Sequence, residues 1–146
     1  MEYKIEEFKE EHLLLKESFF DTLKSLSDVL VLDIEETQKL LQKINNQWWN
    51  IFVAVSDEHG IIWTITLLIE QKFIKWWAIA GHIEDVVTRK GFTGQGVAKK
   101  LIERVIKEAK EKWCYKIILD CNSQLTPFYE KFWFKKEWIF MRSYLK

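Results

Sequence analysis

The feature that most constrains the fold is a change in hydrophobic period along the second half of the chain. Residues 51–70, IFVAVSDEHGIIWTITLLIE, contain two runs rich in β-branched and aromatic residues on either side of the turn-forming DEHG, which predicts a β-hairpin. A third strand is predicted over about Ala78–Thr88. Residues 96–111 change to helical spacing, and a short strand follows in YKIILDC, so the order predicts one strand–helix–strand crossover. The apolar face of that helix is predicted to consist of Val97, Leu101, Val105 and Ala109.

The remaining segments complete an α+β layout in a single domain, predicted over residues 1–146. Asp33 followed by Glu36 is a capping-box pattern that predicts the start of a helix. The other elements are predicted to be a short strand at Tyr3–Ile5, helices over Ile5–Leu26, Asp33–Ile44 and Thr126–Phe132, and an extended run near Phe134–Tyr144. We therefore expect a mixed, mostly antiparallel sheet flanked by helices.

Composition limits the class of partner. Lysine and arginine together number 22, as do aspartate and glutamate, so no bulk charge attracts the chain to nucleic acid or to an anionic membrane. No apolar run approaches the ~20 residues of a membrane span, and the first residues contain no apolar signal segment, so we expect a cytoplasmic location. Cys114 and Cys121 match no zinc-ligand spacing, so reduced thiols and no metal are expected. Any bound anion must then be held by local geometry.

The glycine-rich stretch GFTGQG, residues 91–96, comes directly before the predicted helix. A helix that begins in such a turn leaves several backbone N–H groups without intrahelical partners, and these groups bind anions such as a diphosphate. The spacing of Gly91, Gly94 and Gly96 with Lys99 does not match the P-loop pattern, and a dinucleotide pattern would need glycine at position 99. On these residues alone, a plain tight turn is the alternative.

Four stretches together carry a family resemblance: GHIED, FTGQGVAKKLI, CYKIILDC and PFYEKFWF. In this order they resemble the glucosamine 6-phosphate N-acetyltransferase family of the GNAT superfamily, most densely over residues 72–134. The resemblance implies a loop of pattern [QR]xxGx[GA] whose amides bind the diphosphate of acetyl-CoA. Gly96 and Ala98 match it, whereas Thr93 stands where glutamine or arginine is usual. The implied acetyl-CoA contacts are Val86, Val87, Thr93, Gly94, Gln95, Gly96, Val97, Ala98 and Tyr129.

Acetyl transfer to an amine requires a proton for the departing thiolate, and Tyr129 is the candidate donor. A phenol with an ordinary pKa near ~10 donates a proton or a hydrogen bond without ionising first. The resemblance places the matching family tyrosine in this role. On composition alone, a tyrosine beside Phe128 and Phe132 is also typical of an aromatic core.

Three carboxylates are candidates for binding the amine: Glu84, Asp85 and Asp120. Adjacent residues of a regular strand point to opposite faces, so Glu84 and Asp85 can face one substrate only across a β-bulge. The resemblance implies such a bulged, splayed strand and a catalytic or substrate-binding role for all three residues. Asp120 ends a strand expected to be buried, where a carboxylate needs a partner such as a sugar ammonium. A helix cap or a surface carboxylate is the alternative reading of these residues.

The resemblance also implies groups around the carbonyl and the phosphate. A main-chain N–H near Val86 and Val87 would polarise the thioester carbonyl. The further substrate contacts are Ser27, Lys72, Lys75, Glu130 and Lys131, and Arg142 is an additional candidate for the phosphate. The sequence predicts a structural role for His82, and it predicts that His12 and His59 lie on the surface.

Eight tryptophans against five glycines is an unusual ratio. Several tryptophans stand where the resembling family has glycine: Trp63, Trp133 and Trp138, and Trp113 is a further candidate. Trp133 follows the FYEKF helix where a left-handed residue is expected. Two interpretations stay open, a set of exposed or dimer-buried aromatics and an altered version of a natural sequence.

The function implied by the resemblance is transfer of acetyl from acetyl-CoA to the amine of D-glucosamine 6-phosphate by direct attack. The product would be N-acetylglucosamine 6-phosphate, which belongs to UDP-GlcNAc biosynthesis. The family forms intertwined homodimers, so a homodimer is expected. Two alternatives are a GNAT domain acting on another amine, and a CoA-binding module impaired by Thr93 and the tryptophans.

Overall fold

The computed structural model describes residues 1–145 and confirms the predicted α+β architecture. The strands are β1 (Lys4–Glu7), β2 (Trp49–Ser56), β3 (Gly60–Gln71), β4 (Ile79–Thr88) and β5 (Cys114–Ile118). The helices are α1 (Lys16–Leu23), α2 (Ile34–Asn45), the single turn α3 (Ile74–Trp77), α4 (Val97–Glu111) and α5 (Thr126–Glu130). Two 3-10 turns lie at Glu10–Leu15 and Ser123–Leu125. Lys146 is outside the described residues, and the domain bounds 1–146 stay a prediction.

The sheet follows chain order from β1 to β5. Neighbouring strands from β1 to β4 pair antiparallel to one another, and the β2–β3 pair is the predicted hairpin. β5 is parallel to β4, and α4 forms the connection between them. The predicted strand–helix–strand crossover is therefore confirmed.

Helices cover the two faces of the sheet to different extents. α4 packs on one face through the predicted residues Val97, Leu101, Val105 and Ala109, together with Ile102. α1 and α2 pack on the other face, mainly against β2 and β3. On that second face His82 and Glu84 of β4 and Ile118 of β5 stay partly exposed. This uncovered half of the face is where a substrate has access to the sheet.

The capping box at the start of α2 is confirmed. The Glu36 N–H donates to Asp33 Oδ1 at 2.8 Å, and the Asp33 N–H donates to Glu36 Oε2 at 3.3 Å. These reciprocal bonds satisfy two backbone donors that the first helical turn leaves unpaired. The helix begins at Ile34 for this reason.

The prediction of one long helix from Ile5 to Leu26 is wrong. Residues Lys4–Glu7 instead extend the sheet by pairing with β2, and a 3-10 turn separates them from α1. His12, predicted to lie on the surface, is only 5% exposed. Its Nδ1 accepts from the Lys9 N–H at 3.1 Å and its Nε2 lies 2.9 Å from Glu6 Oε2. These contacts hold the turn that breaks the helical stripe.

The C-terminal run also differs from its prediction. Residues 134–145 form no strand and add none to the sheet. In the described part of the chain these residues pair with neither edge of the sheet, so no β-ladder satisfies their backbone groups. β5 is therefore the edge of the sheet formed by residues 1–145.

Candidate active site

A β-bulge interrupts β4 at the predicted carboxylate pair. Thr64 pairs with Val87 and Thr66 pairs with Glu84, so Asp85 and Val86 together face the single residue Ile65. Asp85 has a φ of 50°, a left-handed conformation that is strained for a residue other than glycine. A bulge of this kind re-aims side chains that a regular strand would send to opposite faces. The bulge implied by the resemblance is present.

β4 and β5 separate just before the bulge. Their pairing ends at His82 and Ile118, although β4 continues to Thr88. The β5-facing edge of residues 83–88 therefore has no partner in β5. Val86 and Val87 lie on this stretch of β4, which no residue of β5 pairs with.

The glycine turn after β4 forms the start of α4. Gly94 has a φ of 80° and Gly96, the N-cap residue, has a φ of 74°. A Cβ added to either glycine would meet no heavy atom within 4 Å, so backbone conformation rather than crowding requires glycine here. No side chain caps the helix among the described residues, and its first turn contains no acid. These features suit an anion bound by the first amides of α4.

Tyr129 is both a core aromatic residue and a candidate proton donor, the two roles predicted from the sequence. It is 6% exposed, and its ring makes edge contacts with Phe128 and Phe134 at centroid distances of 5.1 and 6.0 Å. Burial, followed by the charges of Cys121 and Asp120, raises the pKa of Tyr129 to about 12. The ring is therefore part of the core, while the hydroxyl stays protonated at neutral pH and can act as a donor.

The bulge brings the carboxylates of β4 to one face. Asp85 lines a cavity of about 160 Å³ under α1 and α2 together with Thr64 and Thr66, and Glu84 is paired with Thr66. Burial raises the pKa of Glu84, and the negative charges of Asp120 and Asp85 raise it further. Burial also raises the pKa of Asp85. A cluster of acids that destabilise one another's ionised forms favours a bound cation such as an ammonium.

Asp120 lies near this cluster, but its surroundings differ from the expectation. It follows β5 by two residues and its side chain is 38% exposed, so the expected burial is wrong. The reason is that β5 is an edge strand, on which Tyr115 and Ile118 are also exposed. Arg142 Nη2 lies 3.9 Å from Asp120 Oδ2, so a partner for this carboxylate is present in the chain itself.

The predicted phosphate contacts are not brought together within one chain. Lys72 precedes the turn before β4 and Lys75 lies within that turn, and the Lys72 N–H donates to Ala78 O at 2.9 Å. Ser27 lies in the α1–α2 linker, which reaches the far end of β4, since the Lys90 N–H donates to Ser25 Oγ at 3.0 Å. The ten residues of β4 between these points span roughly 30 Å. Glu130 and Lys131 are exposed at the end of α5.

The imidazole of His82, which has no functional role in the sequence analysis, also lies on the uncovered half of the sheet face. His82 Nε2 lies 2.7 Å from Glu70 Oε2, and the other oxygen of Glu70 is paired with Lys72. The positions of His82 and Glu84, two residues apart in a strand, were a signal that both side chains share a face. The hairpin register that adds Glu70 could not be read from the sequence.

A five-stranded sheet with a splayed, bulged β4 and a glycine turn that opens α4 defines a GNAT-type acetyltransferase fold. The model of the acetyltransferase (GNAT) family matches residues 15–134, and the chain belongs to this family. None of the helices in the described part of the chain is long and apolar enough to cross a membrane.

Sequence and structural relatives of the chain identify the branch of the GNAT family to which it belongs. The chain is 32% identical over 132 residues to glucosamine 6-phosphate N-acetyltransferase of Arabidopsis thaliana, covering 88% of this chain and 89% of that protein. It is 33% identical over 100 residues to the Schizosaccharomyces pombe enzyme of the same name, covering 68% of this chain and 90% of that protein. The crystal structure of the Arabidopsis enzyme superposes with a TM-score of 0.93 at 30% identity over the whole of both chains. Within the GNAT proteins, the chain is a member of the glucosamine 6-phosphate N-acetyltransferase family.

Proposed function

We propose that this protein transfers the acetyl group of acetyl-CoA to the amine of D-glucosamine 6-phosphate, giving N-acetylglucosamine 6-phosphate and CoA. The observation that carries the proposal is the bulge in β4. It directs the side chains of Glu84 and Asp85 to the same face of the sheet, next to the point where β4 and β5 separate. Relatives of that name, aligned over most of the chain, support the same acceptor over another amine.

Acetyl-CoA would bind along the splay between β4 and β5. Its diphosphate would accept hydrogen bonds from the amides of Thr93 to Ala98, where the glycine conformations leave the start of α4 open. Its thioester carbonyl would reach a main-chain N–H of Val86 or Val87 on the unpaired edge of β4. Thr93 supplies an amide but no side chain of the length that glutamine or arginine would provide.

The acceptor enters as an ammonium, for which the acids at Glu84, Asp85 and Asp120 form a negative site. Glu84 accepts a proton from the ammonium, because its raised pKa makes it a better base than an exposed glutamate. The free amine attacks the thioester carbon, and the C–S bond of the tetrahedral intermediate breaks as the amide forms. Tyr129 donates a proton to the departing sulfur, and the second proton that the nitrogen loses as the amide forms returns to the Tyr129 oxygen through water. The reaction needs no covalent enzyme intermediate.

A homodimer would complete the phosphate site. Ser27 and the pair Lys72 and Lys75 lie at opposite ends of β4, so one phosphate cannot reach both groups in one chain. A second copy would place its own residues next to the first. The C-terminal run exposes six large hydrophobic side chains that such a partner would cover: Trp138, Ile139, Phe140, Met141, Tyr144 and Leu145. We further propose a cytoplasmic enzyme that supplies UDP-GlcNAc biosynthesis.

The acceptor identity is tested by comparing glucosamine 6-phosphate with glucosamine in an assay of CoA thiol release. Charge-assisted hydrogen bonds to a phosphate contribute about 1.5–3 kcal/mol each, so kcat/KM should be at least roughly tenfold higher for the phosphorylated sugar. Equal values would remove the phosphate site. Faster transfer to a polyamine or a peptide N-terminus would favour another acceptor, and absence of transfer to any amine would favour the impaired CoA-binding module.

A pH-dependent stability change is expected for Glu84→Gln. The pKa of Glu84 is raised in the folded chain, so ionisation of this group opposes folding once the pH rises above the unfolded pKa. Glutamine does not ionise, so the variant should gain stability relative to the parent between pH 4 and pH 8. Thermal unfolding at the two pH values measures this gain, with the exposed Glu103→Gln of α4 as the control. The same difference at both pH values would contradict the raised pKa.

A further inference from the structure

On the uncovered half of the sheet face, the side chains of Lys72, Glu70 and His82 contact one another in series and fix the position of the imidazole. Lys72 Nζ pairs with Glu70 Oε1, and Glu70 Oε2 lies 2.7 Å from His82 Nε2. The bonds from Lys72 and His82 lower the pKa of Glu70, so this carboxylate is ionised at neutral pH. An ionised carboxylate only accepts hydrogen bonds, so Nε2 carries a proton and Nδ1 of the neutral ring is an acceptor.

The acidic side chains of Glu84, Asp85 and Asp120 lie further along the same face from His82. His82 is two residues before Glu84 and shares its face, so a positive charge on the imidazole would lower the pKa of Glu84. The other charged groups directed to this face are Glu70 of β3, Lys72 just after β3, Asp85 of β4, Lys116 of β5, Asp120 and Arg142. Within this set His82 is the side chain whose two ring nitrogens can act as donor and acceptor at once, so it can accept a proton at Nδ1 while Nε2 donates to Glu70.

We propose that His82 is a positioning residue that returns Glu84 to its ionised form after each transfer. The inference rests on the proposed function, since it assumes that Glu84 receives the amine proton. That proton would pass through water from the Glu84 carboxyl to His82 Nδ1, since alternate residues of a strand lie about 7 Å apart. The resulting imidazolium would be stabilised by Glu70. The imidazolium then loses its proton to water, which restores the starting state.

Three variants test the role of His82. His82→Asn should lower kcat for glucosamine 6-phosphate about tenfold with the KM for acetyl-CoA unchanged, and it should remove one ionisation from the acid side of the pH profile. Glu70→Gln should shift that ionisation. Added imidazole should restore turnover in His82→Ala, which a purely structural role would not allow. An unchanged pH profile in His82→Asn, or no rescue by imidazole, would overturn the inference.

Separate measurements distinguish a failure of the proposed function from a failure of the role proposed for His82. The parent protein is assayed with glucosamine 6-phosphate first, and lack of activity there would overturn the function itself. Nitrogen NMR of the parent histidines reports the His82 tautomer without any turnover. A proton on Nε2 supports the inference, whereas a proton on Nδ1 alone contradicts it.

A second, independent observation concerns the tryptophans. Among residues 1–145, seven residues other than glycine have a positive φ, and five of them are Trp48, Trp76, Trp77, Trp113 and Trp133. Their φ values lie between 60° and 69°, the left-handed region that glycine adopts without strain. Their side chains are 61–94% exposed, so no burial offsets the strain. Trp113 and Trp133 follow α4 and α5, where a left-handed glycine commonly ends a helix.

We infer that these five positions are glycine in the chain that cells produce. All five positions have tryptophan where glycine would be unstrained. A codon that is read as tryptophan in one genetic code and as glycine in another would explain why the replacement is the same each time. Of the two interpretations left open by the sequence, the backbone thus favours an altered sequence. Peptide mass spectrometry of the protein isolated from its native source is the test. Glycine masses at these positions are expected, and tryptophan masses would overturn the inference.

Discussion

Tyr129→Phe is expected to lower kcat by roughly 10²–10⁴-fold while the affinity for acetyl-CoA stays unchanged. The substitution removes only the hydroxyl, which is the proposed proton donor to the departing sulfur. The aromatic ring keeps its edge contacts with Phe128 and Phe134, so the fold should be retained. Steady-state kinetics and calorimetric titration of acetyl-CoA separate the two effects.

The control for this variant is Tyr3→Phe, which removes a hydroxyl from a ring that lies under Lys100 instead of beside the splay. It should have the kcat of the parent. The parent should also show no loss of rate from Tyr129 ionisation below about pH 10, because burial raises the pKa of this residue to about 12. A Tyr129→Phe enzyme with full turnover would remove the proton-donor role.

Replacing all five left-handed tryptophans by glycine is expected to stabilise the chain. A left-handed residue other than glycine costs roughly 1–2 kcal/mol, and the greater freedom of glycine in the unfolded chain offsets about 0.5–1 kcal/mol of this. The five sites should together contribute about 2–5 kcal/mol, which corresponds to an increase in Tm of roughly 5–15 °C. Thermal unfolding of the quintuple variant gives the value.

Trp138→Gly is the matched control, because Trp138 is 87% exposed but does not have a positive φ. It removes an exposed aromatic without relieving backbone strain, so its Tm should not rise. A quintuple variant no more stable than the parent would show that the tryptophans carry no strain. An equal rise for Trp138→Gly would assign the effect to lost aromatic surface.

Local patterns were sufficient for much of the fold. The Asp33–Glu36 capping box depends on residues three apart, and the buried face of α4 depends on helical periodicity, so both were predicted from the sequence. The left-handed conformation of Trp133 followed in the same way from its place after a helix. Each of these features is decided within one or two helical turns.

Features that depend on pairing between distant segments were not predictable. The bulge at Asp85 exists only in the register between β3 and β4, so its presence rested on the resemblance. Asp120 is exposed because β5 is the sheet edge, and Ser27 is far from Lys75 because they meet opposite ends of β4. His12 is buried because β1 joins the sheet. Strand order and register decide all of these positions.

The central claim is that main-chain amides at the start of α4 bind the diphosphate of acetyl-CoA. Calorimetric titration of the parent and of Gly96→Ala with three thioesters tests it: acetyl-CoA, acetyl-dephospho-CoA, which keeps the diphosphate, and S-acetylpantetheine, which lacks it. Alanine at a φ of 74° is strained and should redirect these amides. We predict that Gly96→Ala raises the Kd of both diphosphate ligands about tenfold, equivalent to ~1.4 kcal/mol, and leaves that of S-acetylpantetheine unchanged. Unchanged binding of acetyl-CoA, or equal weakening of all three ligands, would contradict the claim.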